Sequence, residues 1–263
     1  MRRNRNGEPS AGRAGPDRAV SDVLAFILVF ATIIGSVMLL SMTGFQAMTD
    51  YSDGEQLRNS ERAMEALTEN FNDVLRYDGI DKRRGELSLR EGTFAAGSDG
   101  TVLEIELDTG AGTASADASP VTLGEFAYTT GSDRIIYEGG GVVRSAENGG
   151  SVVLKRPQLA CDEGNESVLI TIPSVQATNG SIQSSGTLEV TMNETERKTQ
   201  IESGVDEVTV TANTDYDNAW NATLERSGWE RDTASPTPKA TCGESTGSDL
   251  QVVITVVETH VKY

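Results

Sequence analysis

The sequence is short of the residues that carry most catalytic and metal chemistry. It holds one histidine, His260, and two cysteines, Cys161 and Cys242, in 263 residues. So few soft ligands exclude a zinc site of the usual Cys/His kind, and a single imidazole removes the commonest acid/base residue from most enzyme designs. Bases are scarce too: 22 Lys plus Arg stand against 40 Asp plus Glu, a formal charge of -18, and aromatics make up only 5%. A nucleic-acid surface is excluded, because counterion release needs clustered cations facing phosphates. No cofactor and no metal set is expected. Paired carboxylates for glycoside hydrolysis remain conceivable in principle, but nothing singles out a pair, and no catalytic residue is assigned.

What the sequence does have is a sharp division of charge. Residues 1–19 carry Arg2, Arg3, Arg5, Arg13 and Arg18 against Glu8 and Asp17, and the remainder holds 17 basic and 38 acidic residues. Between these regimes, Val23 to Thr49 is 27 residues without a charge. Its densest part, Val23 to Met42, is about 30 Å long as a helix, the thickness of a bilayer core. Val23, Phe26, Phe30, Ile34 and Met38 run along it at helical spacing and mark a membrane or assembly helix, with the lipid bilayer as partner. Arginines before it and acids after it place the N-terminus in the cytoplasm and the bulk outside, a single-pass arrangement. Three fates are open to this segment. One is a secretory signal cleaved near Ser41-Met42-Thr43, for which the apolar stretch is too long; the second is a permanent anchor without processing; the third rests on the residues preceding it.

Those residues read Asp17-Arg18-Ala19-Val20-Ser21-Asp22-Val23-Leu24-Ala25-Phe26. A polar, arginine-rich leader, a small residue after a charged one and then a long apolar helix resemble the class III signal of archaeal type IV pilin-like proteins, most of all the haloarchaeal branch with its RAVS- or RGVS-type junctions. The resemblance implies a prepilin peptidase as partner, cutting between Ala19 and Val20 next to Arg18. It also implies that the apolar helix is retained and that other pilin-like subunits are its neighbours. Two positions depart from the family: Asp22 stands where many members have proline, and Leu24 where the bacterial family has glutamate.

Beyond the apolar run, Leu57, Met64, Leu67, Phe71, Val74 and Leu75 keep 3- and 4-residue spacings with polar residues elsewhere around the helix, an amphipathic stripe. One long helix is expected from about Val20 to Arg76, with Asp50–Gly54 as a kink or cap, ending at the Asp78-Gly79 turn. The stripe serves either subunit packing or docking on the chain's own β-domain. From Gly85 the period becomes two. Strands are expected at Glu86–Glu91, Thr101–Leu107, Val121–Thr129, Arg134–Glu138, Val142–Ser145, Ser151–Lys155, Ser167–Ile172, Thr187–Met192, Glu207–Ala212 and Leu250–Val261. Their short spacing predicts an antiparallel sandwich or meander. Thr109–Pro120 reads as a low-complexity mobile loop, and Asp217–Trp229 as a short helix capped near Asp217 or Asn218. The fold class is α+β: a long N-terminal helix, transmembrane then amphipathic, joined to a mainly antiparallel β-domain in the pilin-like manner. The divisions are a leader at 1–19, an assembly helix at 20–49, its amphipathic continuation at 50–76 and an extracellular β-rich domain at 77–263.

Asp133–Leu159 resembles a stretch of haloarchaeal pilin-like proteins and reads as three short strands joined by two glycine turns. Its glycines match no GxxxxGK[ST] or GxGxxG and precede no helix, so turn geometry accounts for them. Cys161 and Cys242 fall in the exported part, where a pair forms a disulfide, with two free thiols as the alternative. Four Asn-x-Ser/Thr triplets, at Asn165, Asn179, Asn193 and Asn221, are N-glycosylation candidates on exposed loops. Asn213-Thr-Asp215-Tyr-Asp217-Asn218 has a calcium-like spacing, but the twelfth position of an EF-hand count is Leu224, which cannot ligate; a solvated acidic surface is the reading preferred.

The function expected from these residues is structural: a pilin-like subunit or minor pilin of a surface filament. The alternative is a monomeric anchored ectodomain, an adhesin or ligand-binding module that does not polymerise. An anchored hydrolase has no motif to support it.

Overall fold

The computed structural model describes residues 16–88, 92–177, 180–184, 186–244, 247 and 249–263. Helix α1 runs from Pro16 to Arg76, starting four residues before the expected Val20 with a proline at its first position, where the missing N–H has no intrahelical partner to lose. It stays helical through Gly44 and Gly54, so Asp50–Gly54 is not a cap. Two compact units divide the chain, residues up to Gly54 and Glu55–Tyr263. The β-rich unit therefore includes the helix from Glu55 onward.

In the second unit the expected stripe is used inside the chain. Met64, Leu67, Phe71, Val74 and Leu75 are buried at 3% exposure or less, and α1 ends in a turn where Gly79 takes φ +90°. Docking on its own β-domain is thus what these side chains do. Two polar residues beside the stripe, Thr68 and Asn72, are buried as well.

Three sheets follow. The first has the order β1 (Lys82–Ser88), β13 (Thr187–Val205), β17 (Leu250–Lys262), β11 (Ser167–Ala177) and β10 (Gln158–Asp162). The second is β12 (Gly180–Ser184), β2 (Gly92–Gly97), β6 (Glu125–Thr130), β7 (Asp133–Glu138), β8 (Gly141–Ala146) and β9 (Ser151–Lys155). The third is β15 (Glu230–Arg231), β16 (Lys239–Gly243), β14 (Glu207–Asn213), β3 (Val102–Asp108) and β4 (Thr113–Ser115), with β5 (Val121–Thr122) also on β3. Pairing is antiparallel except between β11 and β17, which are parallel from Ser167↔Gln251 to Ala177↔Val261. A strand spacing of 8–15 residues suggests hairpins only, and it missed this crossover because the two strands are far apart in sequence.

Several expected boundaries shift. Of Glu86–Glu91, residues 86–88 fall in β1, which begins earlier at Lys82, and 89–91 lie outside the described residues; β13 continues to Val205, well past Met192, because its later residues pair along β17 even where they face solvent. Thr109–Pro120 is not an unstructured loop: β4 pairs with β3 there, Ala116 is buried, and the Ile105 amide donates to Ser119 Oγ at 2.8 Å. Helix α2 covers Asp217–Arg226 with Tyr216 at its N-cap and no side-chain cap bond, so Asp217 lies in the first turn and not at the cap.

Strand β17 serves three apolar clusters. Leu250, Val252, Ile254 and Val256 join Leu103, Ile105, Val208, Val210, Trp220 and Trp229. Farther along, Val257 meets Val74 and Leu75, and Val261 enters the cluster of Met64, Leu67, Phe71, Phe126 and Tyr137. Phe71 meets Phe126 and Tyr137 edge-on at 5.8 and 6.4 Å, while those two stack at 4.4 Å, geometry favoured by the ring quadrupoles.

Candidate functional site

The first unit presents the feature with the clearest chemistry. Ser21–Met48 is an apolar helix of 28 residues, long and apolar enough to cross a membrane. Val23, Phe26, Phe30, Ile34 and Met38 are 58, 69, 55, 49 and 72% exposed. Phe26 and Phe30 stack along one side, ring centroids 6.0 Å apart. Three of its hydroxyls are satisfied within the segment. Thr32 donates to the Leu28 and Val29 carbonyls, Ser36 to those of Thr32 and Ile33, and Thr43 to those of Leu39 and Leu40. Such back-bonding satisfies polar atoms that hydrocarbon surroundings would leave without a partner. Arg18, Ala19 and Val20 lie in the first turns of α1; the leader before Pro16 falls outside the described residues.

In the second unit, the glycine run after β7 makes a turn, as its lack of a phosphate motif implies. Gly139 and Gly140 take φ +60° and +85° between β7 and β8. The turn is built into the helix contact: Asn72 Nδ2 donates to the Gly140 carbonyl at 2.8 Å, and a Cβ at Gly140 would stand 3.3 Å from Leu75 Cδ1. Glu138, the residue before it, is 2% exposed. Its carboxylate accepts from the Thr101 amide at 2.8 Å, the Thr101 hydroxyl at 2.6 Å and the Trp220 indole at 2.9 Å. Burial pushes its pKa up, against those hydrogen bonds, which pull it down. The result is a clamp joining α2 to the strands. Nearby, Tyr216 donates to Glu125 at 2.9 Å and accepts from Arg134 at 2.9 Å; desolvation, with the Glu125 charge adding to it, raises the phenol's pKa. Sequence reading missed both networks. The one available signal was a glutamate within the apolar strand IIYE.

Cys161 on β10 and Cys242 on β16 form a disulfide, Cα atoms 5.9 Å apart, tying the first sheet to the third. Among the described residues, Cys161, Glu163 and Cys242 are the group of metal-ligand side chains lying within 4.8 Å of one another. Their sulfurs are bonded to each other, and Glu163 Oε1 accepts from the Gly243 amide at 3.3 Å.

The sequons do not share one setting, which corrects the expectation of exposed loops. Asn165 is exposed at the end of a 3-10 turn, its amide held by Asp162 at 2.6 Å. Asn193 sits within β13, paired on both sides with Lys82 and His260. Asn221 is on α2, and its sequon's Thr223 is 2% exposed. The local pattern Asn-x-Ser/Thr carries no information about strand or helix membership. Asn179 lies outside the described residues.

No curated protein and no solved structure matches the chain. Over residues 18–262, which take in both the apolar helix and the β-rich unit, the chain belongs to the family of unknown function DUF7289.

Proposed function

We propose that this chain is a type IV pilin-like structural subunit, a minor or specialised pilin of a cell-surface filament, anchored by its N-terminal helix and displaying the β-domain outside. The observation that carries the reading is the apolar helix Ser21–Met48, none of whose dense window is buried, preceded by the Arg18-Ala19-Val20 junction. A helix apolar on all sides needs either lipid or other helices around it. The family match, which begins at residue 18, supports treating helix and β-domain as one unit. The mechanism is mechanical. The helix stores the subunit in the bilayer with its N-terminus cytoplasmic. A prepilin peptidase removes the arginines that hold that end at the inner face. The helix then exchanges lipid for like helices of neighbouring subunits. Unlike faces meeting head to tail build an open filament.

One observation favours the competing reading, a monomeric anchored ectodomain acting as adhesin or ligand-binding module. The amphipathic stripe from Met64 to Leu75 is consumed by the chain's own core and is not free to pack against other copies. Edman sequencing of membrane-extracted protein separates the two. A start at Val20 supports the subunit, a start at Met1 or Arg2 the simple anchor, and a start near Gly44 removes both in favour of a secreted β-protein.

A further inference from the structure

We infer that the β-domain associates head to tail with a second copy of this chain, a cationic cleft at one end of the first sheet receiving an acidic cluster from its other end. The inference deepens the subunit reading and rests on it. The cleft, about 520 Å³ and open to solvent, lies across β1, β13 and β17. The register builds it from two rows on one face: Lys82, Asn193 and His260 in the first, Arg84, Thr191 and Lys262 in the second. Strand spacing and pleat set these six side chains within a patch roughly 10 Å by 7 Å. Lys82, Arg84 and Lys262 are exposed. Among the described residues, Glu189 is the carboxylate within ion-pair distance of any of them, 3.7 Å from Arg84 with both side chains more than half exposed. The neighbouring carboxylates Glu194 and Glu258 are held by Arg197 and Lys198. His260 Nδ1 is buried in this patch with no hydrogen-bond partner.

Nine residues back along β17, about 30 Å away, the charge reverses. Asp162, Ser167 and Gln251 form one row across β10, β11 and β17. Asp108 faces Glu207 across β3 and β14, and the Asp206 amide donates to the Asp108 carbonyl at 2.7 Å. The Glu166 carbonyl accepts from Gln251 at 2.8 Å. Glu163, Glu166, Glu202 and Asp249 are exposed there. Among the described residues, Glu163, Glu166, Glu202 and Asp249 make no ion pair with a lysine or arginine, and no lysine or arginine occurs in 157–196, 199–225 or 240–261. A surplus of cations at one end of a chain of net charge -18 and uncompensated acids at the other fit each other, not themselves. Two such chains repel at long range, but salt screens that repulsion beyond about 8–10 Å while sparing most of a contact at ion-pair distance. Charge matching of this kind fixes orientation and encounter rate more than affinity, and a contact between unlike patches propagates.

The test uses the full chain in detergent micelles, an equal mixture of unlabelled and ¹⁵N-labelled protein coupled with a zero-length carbodiimide. Mixed-isotope peptides joining Lys82 or Lys262 to Glu163, Glu166, Glu202 or Asp249 are expected, and their absence overturns the inference. Reversing the cleft (Lys82→Glu, Arg84→Glu, Lys262→Glu) or the acidic end (Glu166→Lys, Glu202→Lys, Asp249→Lys) should each lower the cross-linked yield at least tenfold. A mixture of the two variants should recover association, oligomers longer than dimers included, since the native cleft of one meets the native acids of the other and the two reversed ends meet as well. A chain carrying both reversals should associate with itself again, which excludes misfolding as the cause of the losses. Oligomers unchanged by either reversal, or an inert mixture, sink the contact and leave the subunit reading to the N-terminal start. A glycan on Asn193 of associated protein would fill the cleft and overturn the contact as well.

Discussion

Residues 21–48 and residues 64–75 belong to the same helix, yet their apolar side chains have opposite fates. In the first stretch they are distributed around the whole circumference and none of the dense window is buried. In the second they form one stripe, with Met64, Phe71 and Val74 wholly buried. Identical backbone geometry therefore tells nothing about surroundings; the angular distribution of apolar residues does. The stripe selects a sheet to lie on, whereas the full collar selects a medium. Beside the stripe, buried Asn72 finds a partner at the Gly140 turn, whereas the buried Thr68 hydroxyl has none among the described residues.

The sharpest way to break this comparison is to mutate each stretch and look for the effect in the other. Phe71→Ala removes the ring at the centre of the Phe126–Tyr137 cluster. It should destabilise the β-domain by about 3–5 kcal/mol, read from urea unfolding followed by near-UV circular dichroism, with membrane association unchanged. Loss of membrane association in this variant would mean that the two stretches do not act separately. Ile34→Lys places a charge in the middle of the apolar collar and should disfavour insertion by about 2.5–3.5 kcal/mol, seen as a shift of the protein from the membrane to the soluble fraction. Here the unfolding midpoint of the β-domain should stay where it is, and a fall of more than a few tenths of a kcal/mol would refute the division.

The smallest effect concerns the rim of the buried stretch. Glu69 bonds to Lys155 on β9 and to Arg76, and these partners lower its pKa from 4.5 to about 2. A carboxylate depressed by folding contributes stability above its unfolded pKa and loses it as pH falls toward the folded one. The contribution should therefore fade between about pH 4.5 and 2. Because Glu69 is half exposed, screening holds it below about 1 kcal/mol. The difference in unfolding midpoint between the parent and Glu69→Gln should vanish across that window. A difference that grew on acidification would show that the pair opposes folding.

How much of this was legible beforehand follows from the range of each interaction. The apolar collar, the stripe and strands such as Ser151–Lys155 were readable because a period of 3.6 or 2 is written in neighbouring residues. The parallel register of β11 on β17 was not, since nothing local to Ser167 announces Gln251. The extension of β13 to Val205 was hidden for a related reason: Glu196, Lys198 and Glu202 face solvent, and pairing along β17 holds them in the sheet without any apolar alternation. Glu138 was hidden more deeply, because its partners Thr101 and Trp220 approach from opposite directions in the chain. The cysteines offered two candidate states, and only the adjacency of β10 and β16 brings their sulfurs together.

The hydroxyls of Thr32, Ser36 and Thr43 turn back onto carbonyls three and four residues earlier, and this has a bearing on motion. Hydroxyls that answer to their own helix have no directional bond to surrender when the surroundings change. Rotation about its axis, or a slide by a turn past whatever lies alongside, alters only dispersion contacts, which are many and weak. Such a rod is lubricated: it can leave one neighbour for another along a path without a steep step.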